Sequence, residues 1–216
     1  MAKGKLSPRQ KMINLMYLVF IAMLAMQIDQ EIIRSYNDTN QTLTDTRGLV
    51  EQKNDKIFKK TLEAKAANTP DTYAKPLADY QSLEAKTNDL VSFIDGLKST
   101  LKKESGYDDK VNVDENFTAL NNTEPASNLF FKGSETAPSK NATDLKAKVA
   151  ALKSYITQSF GSSPEMKPVI DRANKTLVTE FEKGVTRNGK NWLQYKFYGQ
   201  PLIAALSNLE VIQSEA

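Results

Sequence analysis

Two side chains capable of specific chemistry stand in or beside an otherwise apolar run: Arg9, a permanent cation, and Asn14, an amide that both donates and accepts hydrogen bonds. The run reads "LSPRQKMINLMYLVFIAMLAMQID", residues 6–29, and between Met12 and Ile28 only Asn14 and Gln27 break its apolar character. At about 100° per residue, Arg9, Met12, Met16, Val19, Met23 and Met26 share one arc of about 100°. Asn14, Leu18, Ile21, Ala25, Ile28 and Ile32 lie on the other flank in 4-3-4-3-4 steps, the spacing of a left-handed helix-pair seam.

The chemistry these residues offer is recognition rather than bond making. A guanidinium pairs with a carboxylate through a planar fork. A membrane-buried Asn finds a partner across a helix interface, and in a homodimer that partner is its own copy. Four of the six methionines lie on the Arg9 face, where an unbranched, adaptable side chain suits changing neighbours. Plainer readings stand beside these: Arg9 as part of the positive-inside signal, and Met as lipid-facing filler.

Other chemistries are excluded or unsupported. With no Cys and no His, thiol catalysis, Cys/His metal sites and imidazole triads are out. Asp108, Asp109, Asp114 and Glu115 lack the spacing and central Gly of an EF-hand loop. The net charge of +3 is dispersed, without the basic block interleaved with aromatics that nucleic acid would need. No nucleophile or acid/base set stands out, so the chain reads as a non-enzyme without cofactor.

The elements that must position Arg9 and Asn14 begin with a well-specified helix start. Ser7 reads as the N-cap, Pro8 as the first helical residue, and Gln10 as the partner completing a capping box. The apolar run is near the lower length limit for a membrane span. It reads as an anchor rather than a cleaved leader, because no pair of small residues at the cleavage spacing follows it. After Pro8 the next Gly or Pro is Gly48, so nothing stops the helix at the membrane exit. Lys3, Lys5, Arg9 and Lys11 precede the span and the first acids, Asp29 and Glu31, follow it. The expected order is a cytoplasmic tail, 1–11, a transmembrane helix, 12–30, and a body outside the cytoplasm, 31–216, which in a bacterial inner membrane means the periplasm.

With only 9 Gly and 8 Pro in 216 residues, the body reads as all-α, an elongated helical bundle. A polar helix is expected over about 36–67, with Val50, Ile57, Phe58 and Leu62 as its apolar positions. "NTP" at 68–70 turns the chain, and Tyr73, Leu77, Tyr80, Thr87, Leu90, Ile94, Leu97 and Leu101 mark a long amphipathic helix. Residues 104–142 carry turn-forming residues and an apolar plug, "NLFF", at 128–131, implying short helical turns or a docked loop. Helices resume over 143–160, on Leu145, Val149, Leu152 and Ile156, and over 164–183, with Ser163 as cap and Gly184 as stop. Pro201 starts a last helix carrying Leu202, Leu206, Leu209 and Ile212, which meets no stop signal before Ala216 and so reads as continuing in a longer native chain.

"KLSPRQKMINLMYLVFIAMLAM" at the start and "NWLQYKFYGQPLIAALSNL" near the end resemble the GldM, or PorM, family of the Bacteroidetes gliding machinery and type IX secretion system. The resemblance covers the whole chain, as the family's transmembrane helix and first periplasmic domain, with β-rich domains expected beyond. It implies an inner-membrane motor driven by proton-motive force, in which a pair of such helices sits inside a pentameric ring of the two-span protein GldL. The periplasmic part would pass motion to outer-membrane-associated ring proteins. Related single-span stators carry an Asp in the span, whereas no acid lies between residues 1 and 28 here. The resemblance therefore assigns the proton-binding carboxylate to GldL, with Arg9 as its transient ion-pair partner, Met12, Met16 and Met23 as the ring-facing surface, and Asn14, Leu18, Ile21, Ala25 and Ile28 as the dimer seam. A membrane-anchored periplasmic sensor is the competing reading.

Overall fold

The computed structural model describes residues 7–182 and 184–216; Lys3 and Lys5 of the expected cytoplasmic tail, and Lys183, the expected end of a helix, lie outside them. One unbroken helix runs from Pro8 to Asn68. It comprises α1 (Pro8–Lys53), a π-helical stretch, Asn54–Lys59, and α2 (Lys60–Asn68). The Ser7 hydroxyl caps it by accepting from the Gln10 amide at 3.2 Å, with Pro8 in the first turn. The capping box is not completed: the Gln10 carboxamide donates to Asn14 Oδ1 at 3.2 Å instead of turning back to Ser7. A capping box needs the Gln10 carboxamide oxygen to turn back and accept from the Ser7 amide, whereas the side chain extends one helical turn forward to its i+4 neighbour.

α1 continues past the expected membrane exit without a joint. The four apolar positions expected higher on the helix behave differently: Val50, Ile57 and Phe58 are more than half exposed, and only Leu62 is half-buried. Here the molecule is a two-helix hairpin, so a single narrow stripe is covered, and the wider π turn rotates the residues that follow it. Phe58 keeps one aromatic neighbour, Tyr80, at 5.4 Å between ring centroids.

The hairpin turns at Thr69 into α3 (Pro70–Ser105), which runs back antiparallel to α1. Tyr73, Leu77, Tyr80 and Thr87 are half-buried and Leu90, Ile94, Leu97 and Leu101 fully buried, so the expected stripe deepens as it descends. Gly106, at φ +75°, closes α3: its amide and that of Tyr107 fold back on the carbonyls of Lys103 and Lys102. Between residues 107 and 139 the chain forms two short helices, α4 (Phe117–Leu120) and α5 (Glu124–Phe130). The "NLFF" plug is buried through Leu129, Phe130 and Phe131, and Phe130 stacks on Phe197 at 4.0 Å.

α6 (Lys140–Phe160) starts three residues before the expected point because the Ser139 hydroxyl caps the Ala142 amide. Its predicted face, Leu145, Val149, Leu152 and Ile156, packs on α3. The helix expected over 164–183 is shorter. A 3-10 turn, Pro164–Met166, leads into α7 (Lys167–Thr176), and Ser163 provides no side-chain cap. Leu177 leaves helical geometry to bury its own side chain, 4% exposed, and Phe181 follows it to the core edge under the Arg187 guanidinium. α8 (Trp192–Phe197) opens on a complete capping box between Asn191 and Gln194. α9 (Leu202–Glu215) starts just after Pro201, with the Leu202 amide donating to the Asn122 carbonyl at 2.8 Å. It lies in the middle of the body, against both α1 and α3, with Leu202, Ile203, Ala205, Leu206 and Leu209 buried. No strand occurs among the described residues, and the fold is all-α.

Candidate functional site

From Ser7 to Asp29 every residue of α1 and its cap is exposed, so the body neither covers nor crowds the span. Met12 and Met16 are about two-thirds exposed, and Leu18 and Ile21 equally so. Arg9, Met12, Met16 and Met23 thus stand on one bare flank, and Asn14, Leu18, Ile21, Ala25 and Ile28 on another. Asn14 is engaged by Gln10, which leaves its amide nitrogen for a partner.

The body begins two residues past Ile28, the last apolar residue of the run. Gln30 is half-buried and Ile33, 4% exposed, is the fully buried residue of α1. Arg34 donates from Nε to Asp114 Oδ1 at 2.8 Å and from a terminal nitrogen to Glu31 at 2.6 Å. Both carboxylates raise its pKa, Asp114 most, so it is charged at any physiological pH. Gln30, Ile33, Asn37, Asn40 and Arg47 form one stripe in steps of three, four or seven, and its upper members Asn37, Asn40 and Arg47 face α9.

Arg47 reaches Glu210 of α9 at 3.1 Å and Glu51 at 2.8 Å. Lys98 of α3 donates to the other oxygen of Glu210 and to the carbonyl oxygen of Gln213, whose amide in turn donates to Asp95 at 2.8 Å. The Glu210 side chain is only 5% exposed. Burial pushes its pKa up, but hydrogen bonds and charge from Lys98 and Arg47 outweigh this and hold it below the ordinary carboxylate value. For Lys98 burial wins: it and the neighbouring Arg47 charge depress the ammonium despite Glu210. Beside this network a cavity of about 290 Å³ opens between α1, α3 and α9, lined by Asn37, Asn40, Thr44, Lys102 and Tyr107.

The acids of the 107–117 loop are dispersed, each to its own partner. Asp108 accepts from the Lys110 amide, Asp109 pairs with Lys102, Asp114 with Arg34, and Glu115 accepts from Asn112.

Sequence reasoning missed the seat of α1. Its stripe has heptad spacing but polar members, so a scan for apolar periodicity passes over it. The available signal was Glu210, the one acid within the apolar "LIAALSNLEVI", which requires buried cations. The two flanks of the span are also unequal in relation to this seat. On an α-helix the Arg9 and methionine arc lies on average about 60° from the body-facing stripe, and the Asn14 seam about 110° away on the other side. The body therefore overhangs the methionine flank and leaves the seam open.

Comparison with protein families gives a match to the family described as GldM N-terminal domain, over residues 31–216. Its first residue, Glu31, follows the span and coincides with the point where the body begins to cover the helix. No curated protein matches the chain. A helix long and apolar enough to cross a membrane precedes the matched domain, consistent with single-pass anchoring. Because that domain occupies nearly the whole chain, the protein belongs to the GldM family, which ties it to gliding motility and type IX secretion.

Proposed function

We propose that the chain is the single-span subunit of an inner-membrane motor, with a mechanical and non-enzymatic role. Together with a pentameric ring of a GldL-type two-span protein it converts proton-motive force into motion of the periplasmic body. That motion drives gliding and type IX secretion through outer-membrane-associated ring proteins. The observation that carries this reading is the unbroken helix Pro8–Asn68, which joins the span to the body with no flexible linker between them. A rotation or tilt imposed inside the membrane reaches the body through a rod rather than a tether.

Two copies pair along Asn14, Leu18, Ile21, Ala25 and Ile28, and the ring meets Arg9, Met12, Met16 and Met23. With no acid in residues 1–28, the proton-carrying carboxylate comes from the ring. Arg9 holds it while it is ionised, and protonation releases the pair. One charge crossing 100 mV yields roughly 2.3 kcal/mol, comparable to weakening one partly buried ion pair. Two helices cannot face five subunits identically, so each release leaves an unequal arrangement that favours the next step.

The test is Arg9→Ala in cells. Gliding and secretion should stop while the complex still co-purifies, and Arg9→Lys, keeping the charge without the fork, should restore part of the motility. Normal gliding in Arg9→Ala would refute the coupling role.

A further inference from the structure

The distance between the membrane and the body is set by the helix itself. The expected span, 12–30, ends at the level to which the body reaches down, Gln30. At 1.5 Å per residue, Arg34 stands about 6 Å beyond Gln30. A headgroup layer adds about 5–7 Å on each side of the hydrocarbon core. Ile33 and Arg34 are thus still within that layer when the body closes around them.

Asp114 is hydrogen-bonded to Arg34 at 2.8 Å and so lies at the same depth. It belongs to the loop from Tyr107 to Phe117, where α3 ends after descending 36 residues from the hairpin tip. The loop is tied in place from above by Asn116, 4% exposed, which donates to the Asp108, Val111 and Asn112 carbonyls and accepts from the Asp108 amide. Asp108, Asp109, Lys110 and Asn112 are left exposed along it.

We propose that the 107–117 loop is a membrane-contacting surface, resting in the lipid headgroup layer of the leaflet from which α1 emerges. Its exposed carboxylates and Lys110 replace water around zwitterionic ammonium and phosphate groups, and the rigid Asn116 turn keeps it from retracting. The body stands on the bilayer instead of above it, and α1 has no free stalk. This depends on α1 crossing the membrane at residues 12–30 and not on the ring, Arg9 or proton flow.

The chain has no Cys, so single-Cys labelling is unambiguous. Lys110→Cys and Ala67→Cys, the second near the hairpin tip, are each labelled with an environment-sensitive fluorophore in the full chain. Each is placed in nanodiscs of phosphatidylethanolamine and phosphatidylcholine, with or without a headgroup-nitroxide lipid. Ile21→Cys, quenched by an acyl-chain nitroxide, verifies that the helix is inserted. The label at 110 should lose at least half its emission to the headgroup nitroxide, and the label at 67, about 55 Å along the helix from Gln30, none. Unchanged emission at 110 overturns the proposal, as does equal quenching at 67, which would mean that the body lies flat. A label at 110 that lipid never quenches but a co-reconstituted ring subunit shields also overturns it, in favour of a protein contact.

Discussion

Glu210 of α9 accepts from Arg47 of α1 at 3.1 Å, joining the helix that emerges from the membrane to the innermost helix of the body. Along with Ile33, 14 residues nearer the membrane, it defines how the rod is held. Ile33 is an apolar pin, and Glu210 is an ionic clamp about 21 Å further along. Removing Glu210 leaves Lys98 and Arg47 with their charges turned into the body. Glu210→Ala should therefore destabilise the body by about 3 kcal/mol in urea denaturation. Arg47→Ala, which leaves Glu210 still paired to Lys98, should cost about 1 kcal/mol. The double change Glu210→Met with Lys98→Met should recover part of the loss, since apolar side chains of similar volume replace the Lys98 pair and Arg47 keeps Glu51 as its partner.

The same carboxylate predicts an acid limb in the stability profile. Its pKa is lower folded than unfolded, so its stabilisation is fully present above the ordinary unfolded value of about 4 and is lost as pH falls through that range. Lys98 acts at the other end. Its folded pKa is depressed, so the folded state holds that proton less tightly, and stability should rise between the depressed value and the ordinary lysine range near 10.4. As pH is lowered from 7 to 3, denaturation midpoints should fall more gently for Glu210→Gln than for the parent chain.

Ile33 and Ile32 are adjacent in sequence and opposite in fate: Ile33 is 4% exposed and Ile32 50%. Ile33→Ala should cost about 3 kcal/mol in denaturation of the body, because it empties the pin. Ile32→Ala should cost under about 0.5 kcal/mol in the same measurement. Equal effects would show that the body grips α1 on a different face.

Asn14 tests the seam. In detergent, Asn14→Leu should weaken self-association of the full chain by about 1 kcal/mol in analytical ultracentrifugation, the scale of one interhelical hydrogen bond in a membrane. Met16→Leu, on the other flank, should leave it unchanged.

Much of the fold is legible in the residues. Ser7 and Pro8 mark where α1 begins, because an N-cap and a proline at the first turn satisfy strictly local requirements. Leu90 to Leu101 and Leu145 to Ile156 are apolar at helical spacing and are buried, and the "NLFF" plug is buried too. Where local rules fail, a distant partner is responsible. Leu177 leaves its helix because the core accepts its side chain. Val50, Ile57 and Phe58 read as a buried stripe and are exposed, because only one other helix stands beside them.

The sequence by itself determined an all-α chain, a long helix through a membrane-length apolar run, and two chemically different flanks on that run. These follow from periodicity, capping and composition, which act over a few residues. Only the tertiary structure decided which flank the body overhangs, that Ile33 and Glu210 hold the rod, and that Arg34 meets Asp114 across 80 residues of chain. The physical reason is that polar contacts leave no apolar periodicity. Whether a given Arg or Glu faces water or a partner depends on what the rest of the chain brings beside it.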